Sequence, residues 1–116
     1  MTKEEQLMVV QKAQNAVREA EQRIQENELE IQQTNQNKRK EKDFRMMEYY
    51  DKYLHHLWDK AEALEAERQR LQAILDEEEQ KLIKLEQAVK VLEKHKEKQR
   101  EAYLEEEKSI ELRQFS

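Results

Sequence analysis

The sequence of 116 residues contains no glycine, no proline and no cysteine. A globular domain of this length normally carries roughly fourteen glycines and prolines, because these residues form tight turns and interrupt helices. The absence of cysteine excludes disulfides and thiolate metal ligands, and it fits a reducing cytosol. A chain of this composition is expected to contain long, uninterrupted helices.

Apolar residues are also scarce, at 36% of the chain, whereas charged residues make up 42% and leave a net charge of −5. This is too little apolar surface for a layered core but enough for one seam between helices. The negative charge argues against nucleic acid as the main partner. No apolar run is long enough for a membrane span or a signal peptide. We therefore expect a cytoplasmic protein that is peripheral to a membrane at most.

An apolar repeat of alternating three- and four-residue steps runs through the second half of the sequence. Fourteen of its nineteen positions are apolar, where the composition alone predicts roughly seven. Such a repeat is typical of a coiled-coil seam and argues against disorder, the main alternative for so charged a chain. Its positions are Met47, Tyr50, Leu54, Leu57, Ala61, Leu64, Arg68, Leu71, Leu75, Glu78, Leu82, Leu85, Val89, Leu92, Lys96, Gln99, Tyr103, Glu106 and Ile110.

The first half of the chain has its own heptad register. Its apolar positions lie seven residues apart and are accompanied by mostly small residues, which allow a partner helix to approach closely. Asn27 falls among the companions, where a buried amide lowers stability but fixes the register. The apolar positions are Val10, Val17, Ile24 and Ile31, and the companions are Ala13, Ala20, Asn27 and Thr34.

The two registers are not continuous, and residues 32–43 between them contain no apolar residue. Asn35 and Asn37 lie in this segment, and asparagine favours turns. We therefore predict an all-α, two-helix antiparallel coiled-coil hairpin with a longer second helix. The predicted helices cover about residues 3–34 and 41–114, and the turn covers about residues 35–40.

This turn makes the numbers of paired residues add to about 75. Ile24 is then expected near Tyr50 or Leu54, and Val10 near Leu64. The short helix covers the long one only as far as about residue 72, so the seam at residues 82–92 requires another partner. One continuous helix in a homodimer is the alternative to the hairpin.

No constellation of residues predicts catalysis. Asp51, His55 and Asp59 lie four residues apart on a helix, but an acid–histidine ladder in solvent explains them without a metal. The chain has no Gly-rich phosphate loop and no nucleophile–base set. We expect no enzyme activity, no cofactor and no metal site. The predicted turn carries a basic run that fits either a solvated tip or an acidic or lipid partner: Lys38, Arg39, Lys40, Lys42 and Arg45.

Five of the seven aromatic residues lie between residues 44 and 58. Met46, Tyr49, Tyr53 and Leu57 follow one another at helical spacing along the flank of the seam. Aromatic residues and methionine are enriched at protein interfaces. The stripe therefore predicts either a partner-binding surface or a widened core covered by the first helix.

From about residue 50 onward the chain resembles the FliJ family of flagellar type III export and its virulence-type relatives, which are SctO- and YscO-like. Residues 50–60 (YDKYLHHLWDK) resemble the aromatic-rich start of the family's second helix. Residues 88–98 (AVKVLEKHKEK) resemble its A-x-x-x-LEK-x-x-E region. The resemblance covers roughly 70 residues.

The resemblance implies a long antiparallel hairpin whose paired termini enter the export ATPase ring. It also implies that the flank of the second helix contacts the cytoplasmic domain of the export gate. Carried over to this chain, the gate contact falls on Tyr53 and Leu57, with Leu64 further along. The expected function is a bacterial export stalk. A structural coiled-coil scaffold, including a homodimer, and a helix-binding adaptor remain the alternatives.

Overall fold

The computed structural model describes residues 1–115, which form two α-helices folded into an antiparallel hairpin. Helix α1 is Lys3–Lys40 and helix α2 is Phe44–Phe115. At ~1.5 Å per residue, the 72 residues of α2 extend for ~108 Å, and the long axis of the molecule is 107 Å. The long helix therefore spans the whole molecule. The predicted all-α hairpin with a longer second helix is confirmed.

Helix α1 begins at a capped end. The Oγ1 atom of Thr2 accepts a hydrogen bond of 3.2 Å from the backbone N–H of Glu5, one of the groups that a helix start leaves unsatisfied. Glu4 and Glu5 add negative charge to the first turn, where the helix dipole is positive. The last turn carries the opposite charge, on Lys38, Arg39 and Lys40.

The connection between the helices lies at residues 41–43, so the predicted turn at about residues 35–40 is wrong. Thr34 lies within α1, where its hydroxyl donates to the carbonyl oxygen of Glu30 at 2.7 Å. Glu41 ends α1 in an extended conformation, with φ −77° and ψ 134°. The carboxylate of Glu41 accepts hydrogen bonds from the backbone N–H groups of Lys42 and Asp43. The carboxylate of Asp43 accepts one from the backbone N–H of Arg45, at the start of α2.

The later connection shifts the pairing of the two helices. Gln6 contacts Glu78 and Asn27 contacts Leu57, and in both pairs the residue numbers add to 84 rather than to about 75. Val10 accordingly packs in one buried cluster with Leu75 and not against Leu64. In the same register Ile24 lies opposite residue 60, so the expected pairing with residues 50 or 54 is also wrong.

The core is a narrow row of side chains from both helices, buried along the seam between them. Its buried apolar members are Val10, Val17, Ala20, Leu54, Leu57 and Leu75. Helix α1 shields α2 as far as Leu85 and Glu86, beyond the predicted limit near residue 72, because α1 is longer and turns later than predicted. Residues 87–114, which we call the distal arm, are exposed along their whole length.

Candidate partner-binding surfaces

An exposed row of side chains lies on α2 just after the connection. Met46 and Tyr49 are on the surface, and Tyr49 is 62% exposed. Tyr49 also meets the neighbouring ring of Tyr50 edge to face, with centroids 6.3 Å apart. Tyr53 continues the row at the margin of α1 and is half-buried. We call Met46, Tyr49 and Tyr53 the aromatic flank.

Tyr53 is attached to the opposite helix. Its hydroxyl donates a hydrogen bond to the Oε1 atom of Glu30 on α1. The bond to this carboxylate, followed by partial burial and the negative charge of Glu30, raises the pKa of Tyr53 above its ordinary value. Beside this pair, the tyrosines 49, 50 and 53 line a cleft of about 370 Å³ between the helices. Tyr53 thus belongs both to the flank and to the contact that closes the hairpin.

Two predicted site residues lie within the hairpin. Leu57 is only 1% exposed and belongs to the core, so its predicted place on a partner surface is wrong. It occupies a seam position, and the register brings Asn27 onto its backbone carbonyl. Leu64 is half-buried beneath α1. The structure therefore groups Met46, Tyr49 and Tyr53 as an accessible surface, but it does not bring Leu57 and Leu64 into it.

Two aromatic residues that were not assigned to the site are well exposed. Phe44 is the first residue of α2 and is 80% exposed, beside the basic tip of the hairpin. Trp58 is on the outer face of α2, where its ring meets that of His55 edge to face at 5.1 Å. Their positions off the seam repeat were the signal in the sequence that both side chains point away from the core.

The distal arm is the second accessible surface. It carries apolar side chains on a helix that α1 does not cover, and several of these are more than half exposed. An exposed set of this size usually marks a binding site. Its exposed apolar residues are Val89, Val91, Leu92, Tyr103, Leu104, Ile110 and Leu112.

Several polar residues inside the covered seam have side-chain partners. Gln6 donates from Nε2 to Oε2 of Glu78 at 2.7 Å, and Lys81 reaches the other carboxylate oxygen at 3.1 Å. These two bonds hold the pKa of Glu78 below its ordinary value. Arg68 pairs with Glu65 one turn away, which lowers the pKa of the Glu65 carboxyl.

The charged residues near the connection show no cation site. Asp51 forms an ion pair with Lys38 across the hairpin, and His55 packs on Trp58. Within residues 1–115, no three His, Asp or Glu side chains are grouped so that they could hold a metal ion. The other members of the basic run, Arg39, Lys40, Lys42 and Arg45, are exposed around the tip.

Comparison of the chain with protein-family models, curated proteins and solved structures found no match. Neither helix, over residues 1–115, combines the length and the apolar character needed to cross a lipid bilayer. The fold and its two exposed surfaces define the molecule as an antiparallel helical hairpin with one arm extending beyond the other.

Proposed function

We propose that this chain is the stalk component of a bacterial type III export apparatus, where it links the export ATPase ring to the cytoplasmic domain of the export gate. It acts in the cytoplasm, at the inner-membrane machinery, by binding and not by catalysis. The proposal originates in the resemblance of residues 50–60 and 88–98 to the FliJ family. A long two-helix antiparallel hairpin is the architecture that this resemblance implies.

The observation that carries the proposal is the presence of two separate apolar surfaces on one continuous helix. Tyr49 in the aromatic flank and Leu92 in the distal arm are both exposed. Along α2 they are ~65 Å apart at ~1.5 Å per residue. An uninterrupted helix keeps two partners at a fixed separation and orientation, which is what a coupling element between two large assemblies requires.

Each surface is assigned to one partner. The aromatic flank binds the gate, with Tyr49 as the accessible anchor and Tyr53 as an anchor that also closes the hairpin. Leu57 and Leu64 support this surface from within the seam. The resemblance implies that paired termini enter the ATPase ring. The two termini are not paired here, because the start of α1 lies beside Glu78 and α2 continues beyond it, so the distal arm alone is assigned to the ring.

A helix-binding adaptor or scaffold is the second candidate function. The uncovered distal arm favours it, because a seam of ~42 Å without a partner helix can bind a helix from another protein. This alternative assigns no role to the aromatic flank. Binding at Tyr49 therefore separates the two functions.

Calorimetric titration against the gate cytoplasmic domain encoded in the same genome tests the proposal. Tyr49→Ala should weaken binding about tenfold or more, since truncation of an aromatic anchor commonly costs ~2 kcal/mol. Its melting temperature should stay unchanged, because the ring is largely in solvent. Tyr53→Ala should weaken binding and also lower the melting temperature.

Lys90→Ala is the control, since it changes an exposed charge on the distal arm far from the flank. It should bind the gate domain like the parent chain. Unchanged gate binding by Tyr49→Ala and Tyr53→Ala would show that the aromatic flank is not the gate-binding surface.

A further inference from the structure

Charge divides the distal arm into two halves of opposite sign. Residues 87–100 carry five Lys or Arg and two Glu, a net charge of +3. Residues 101–114 carry five Glu and two Lys or Arg, a net charge of −3. The sign changes between Arg100 and Glu101, at the midpoint of the arm. A helix of this kind is electrostatically complementary to a second copy of itself that runs in the opposite direction.

Several seam positions of the distal arm are arranged symmetrically about Glu101. Lys96 and Glu106, two of its charged residues, each lie five positions from Glu101. Leu92 and Ile110, two of its exposed apolar residues, each lie nine positions from Glu101. An antiparallel pair centred on Glu101 therefore matches Leu92 with Ile110 and Lys96 with Glu106. The remaining seam positions pair Gln99 with Tyr103 and Val89 with Arg113.

We propose that the distal arms of two copies pair antiparallel about Glu101 to form a homodimer. In this pair Lys96 faces Glu106 of the partner subunit, and Leu92 packs on Ile110 of the partner subunit. Each basic half lies along an acidic half. The inference does not rest on the export assignment, because it involves no protein other than this chain.

A parallel pair of the same arms is unfavourable. It places Lys96 against its own copy and Glu106 against its own copy, and like charges facing each other in a seam are destabilising. The antiparallel pair also leaves the hairpin intact. Helix α1 shields α2 only as far as Glu86, and the pair centred on Glu101 begins at Gln87. The two-helix rod then continues from one hairpin into the next.

The dimer and the ring-bound stalk use the same surface. Because the distal arm is the part of α2 that α1 leaves uncovered, an ATPase ring and a second copy exclude each other there. This exclusion rests on the proposed function, whereas the dimer itself does not.

Sedimentation equilibrium of the full chain tests this dimer through charge reversal. The parent chain should show a concentration-dependent monomer–dimer equilibrium. Lys96→Glu and Glu106→Lys should each weaken the dimer about tenfold or more, because each change sets like charges against one another twice per dimer. The double variant K96E/E106K should restore the parent affinity. In a parallel dimer either reversal exchanges one repulsive pair for another and leaves the affinity nearly unchanged.

Lys90→Glu is the matched control, since it makes the same change of charge at an exposed position outside the seam. It should weaken the dimer much less than Lys96→Glu. Orientation is read independently from cysteine variants, which the absence of native cysteine makes simple.

A mixture of Leu92→Cys and Ile110→Cys should form a disulfide between the two variants, whereas each variant alone should not. Disulfides between identical positions would overturn the antiparallel arrangement. A chain that stays monomeric over the whole concentration range would overturn the dimer itself.

Discussion

The side-chain nitrogen of Asn27 donates a hydrogen bond of 3.0 Å to the backbone carbonyl oxygen of Leu57 on the opposite helix. Asn27 is 2% exposed, and its Oδ1 atom has no hydrogen-bond partner within the described part of the chain. A polar residue in such a seam specifies one register and lowers stability. The contact therefore aligns α1 with α2, and the alignment determines which residues of α2 remain uncovered.

Asn27→Leu should raise stability and relax the register. The change removes a buried amide oxygen without a partner, so the free energy of unfolding should rise by roughly 1–2 kcal/mol. Asn37→Leu, at an exposed position of the same helix, should change the free energy little. Urea unfolding of both variants measures the difference.

The register effect of Asn27→Leu can be followed with cysteines placed at residues 6 and 78, which contact each other in the hairpin. Disulfide formation between them should be less complete when the chain also carries Asn27→Leu. A fall in stability together with an unchanged disulfide yield would mean that Asn27 acts only as a hydrogen-bonding group.

Leu57→Ala should destabilise the hairpin by about 2–5 kcal/mol, the usual effect of truncating a buried leucine. Leu29→Ala is the matched control, because Leu29 is 59% exposed on α1. It should change the free energy of unfolding by less than about 0.5 kcal/mol. Equal effects of the two substitutions in urea unfolding would contradict the observed seam.

Acid should weaken the hairpin where Gln6 meets Glu78. The hydrogen bond from Gln6, followed by Lys81, lowers the pKa of Glu78 from its ordinary value of 4.5. A group whose pKa is lower in the folded state stabilises the fold above its unfolded pKa, and this contribution disappears as the pH falls through the folded pKa. The melting temperature of the parent chain should therefore decrease below about pH 4.5 relative to that of Glu78→Gln.

Thermal melts of both chains between neutral and acid pH provide this comparison. Glu65→Gln serves as a second reference, because the pKa of Glu65 is also lowered but its partner Arg68 lies on the same helix. If the melting temperatures of the parent chain and Glu78→Gln change with pH in parallel, protonation of Glu78 at the Gln6 contact does not affect the stability of the hairpin.

The helices followed from the two seam repeats, because heptad spacing reports which face of a helix is covered. Their antiparallel order was inferred from the offset between the two repeats and from the apolar-free residues 32–43. The position of the connection did not follow, since Glu41 and Lys42 are not usual turn residues. Asp43 is one, and it caps the start of α2, but two asparagines nearby gave the stronger turn signal. Among residues 1–115 none has a positive φ, so this turn needs neither glycine nor asparagine. Moving the centre of a turn by one residue changes the sum of paired residue numbers by two, so a modest error in the turn became a large one in the register.

The accessible surface was predictable only in part. Tyr49 lies outside the repeat, and its exposure follows from the helical spacing alone. The hydrogen bond between Tyr53 and Glu30 depends on the register of the two helices, so it could not be predicted from the sequence. Leu57 holds a seam position, and that fact already favoured the core over a partner surface.

The most direct test of the central claim, that this hairpin links two export proteins, is a reconstitution with the purified export ATPase and the gate cytoplasmic domain. Sedimentation velocity should show the gate domain moving with the ATPase only when the chain is present. Tyr49→Ala should keep the chain on the ATPase and release the gate domain. A chain that binds neither protein, while melting as a folded helical hairpin, would contradict the account.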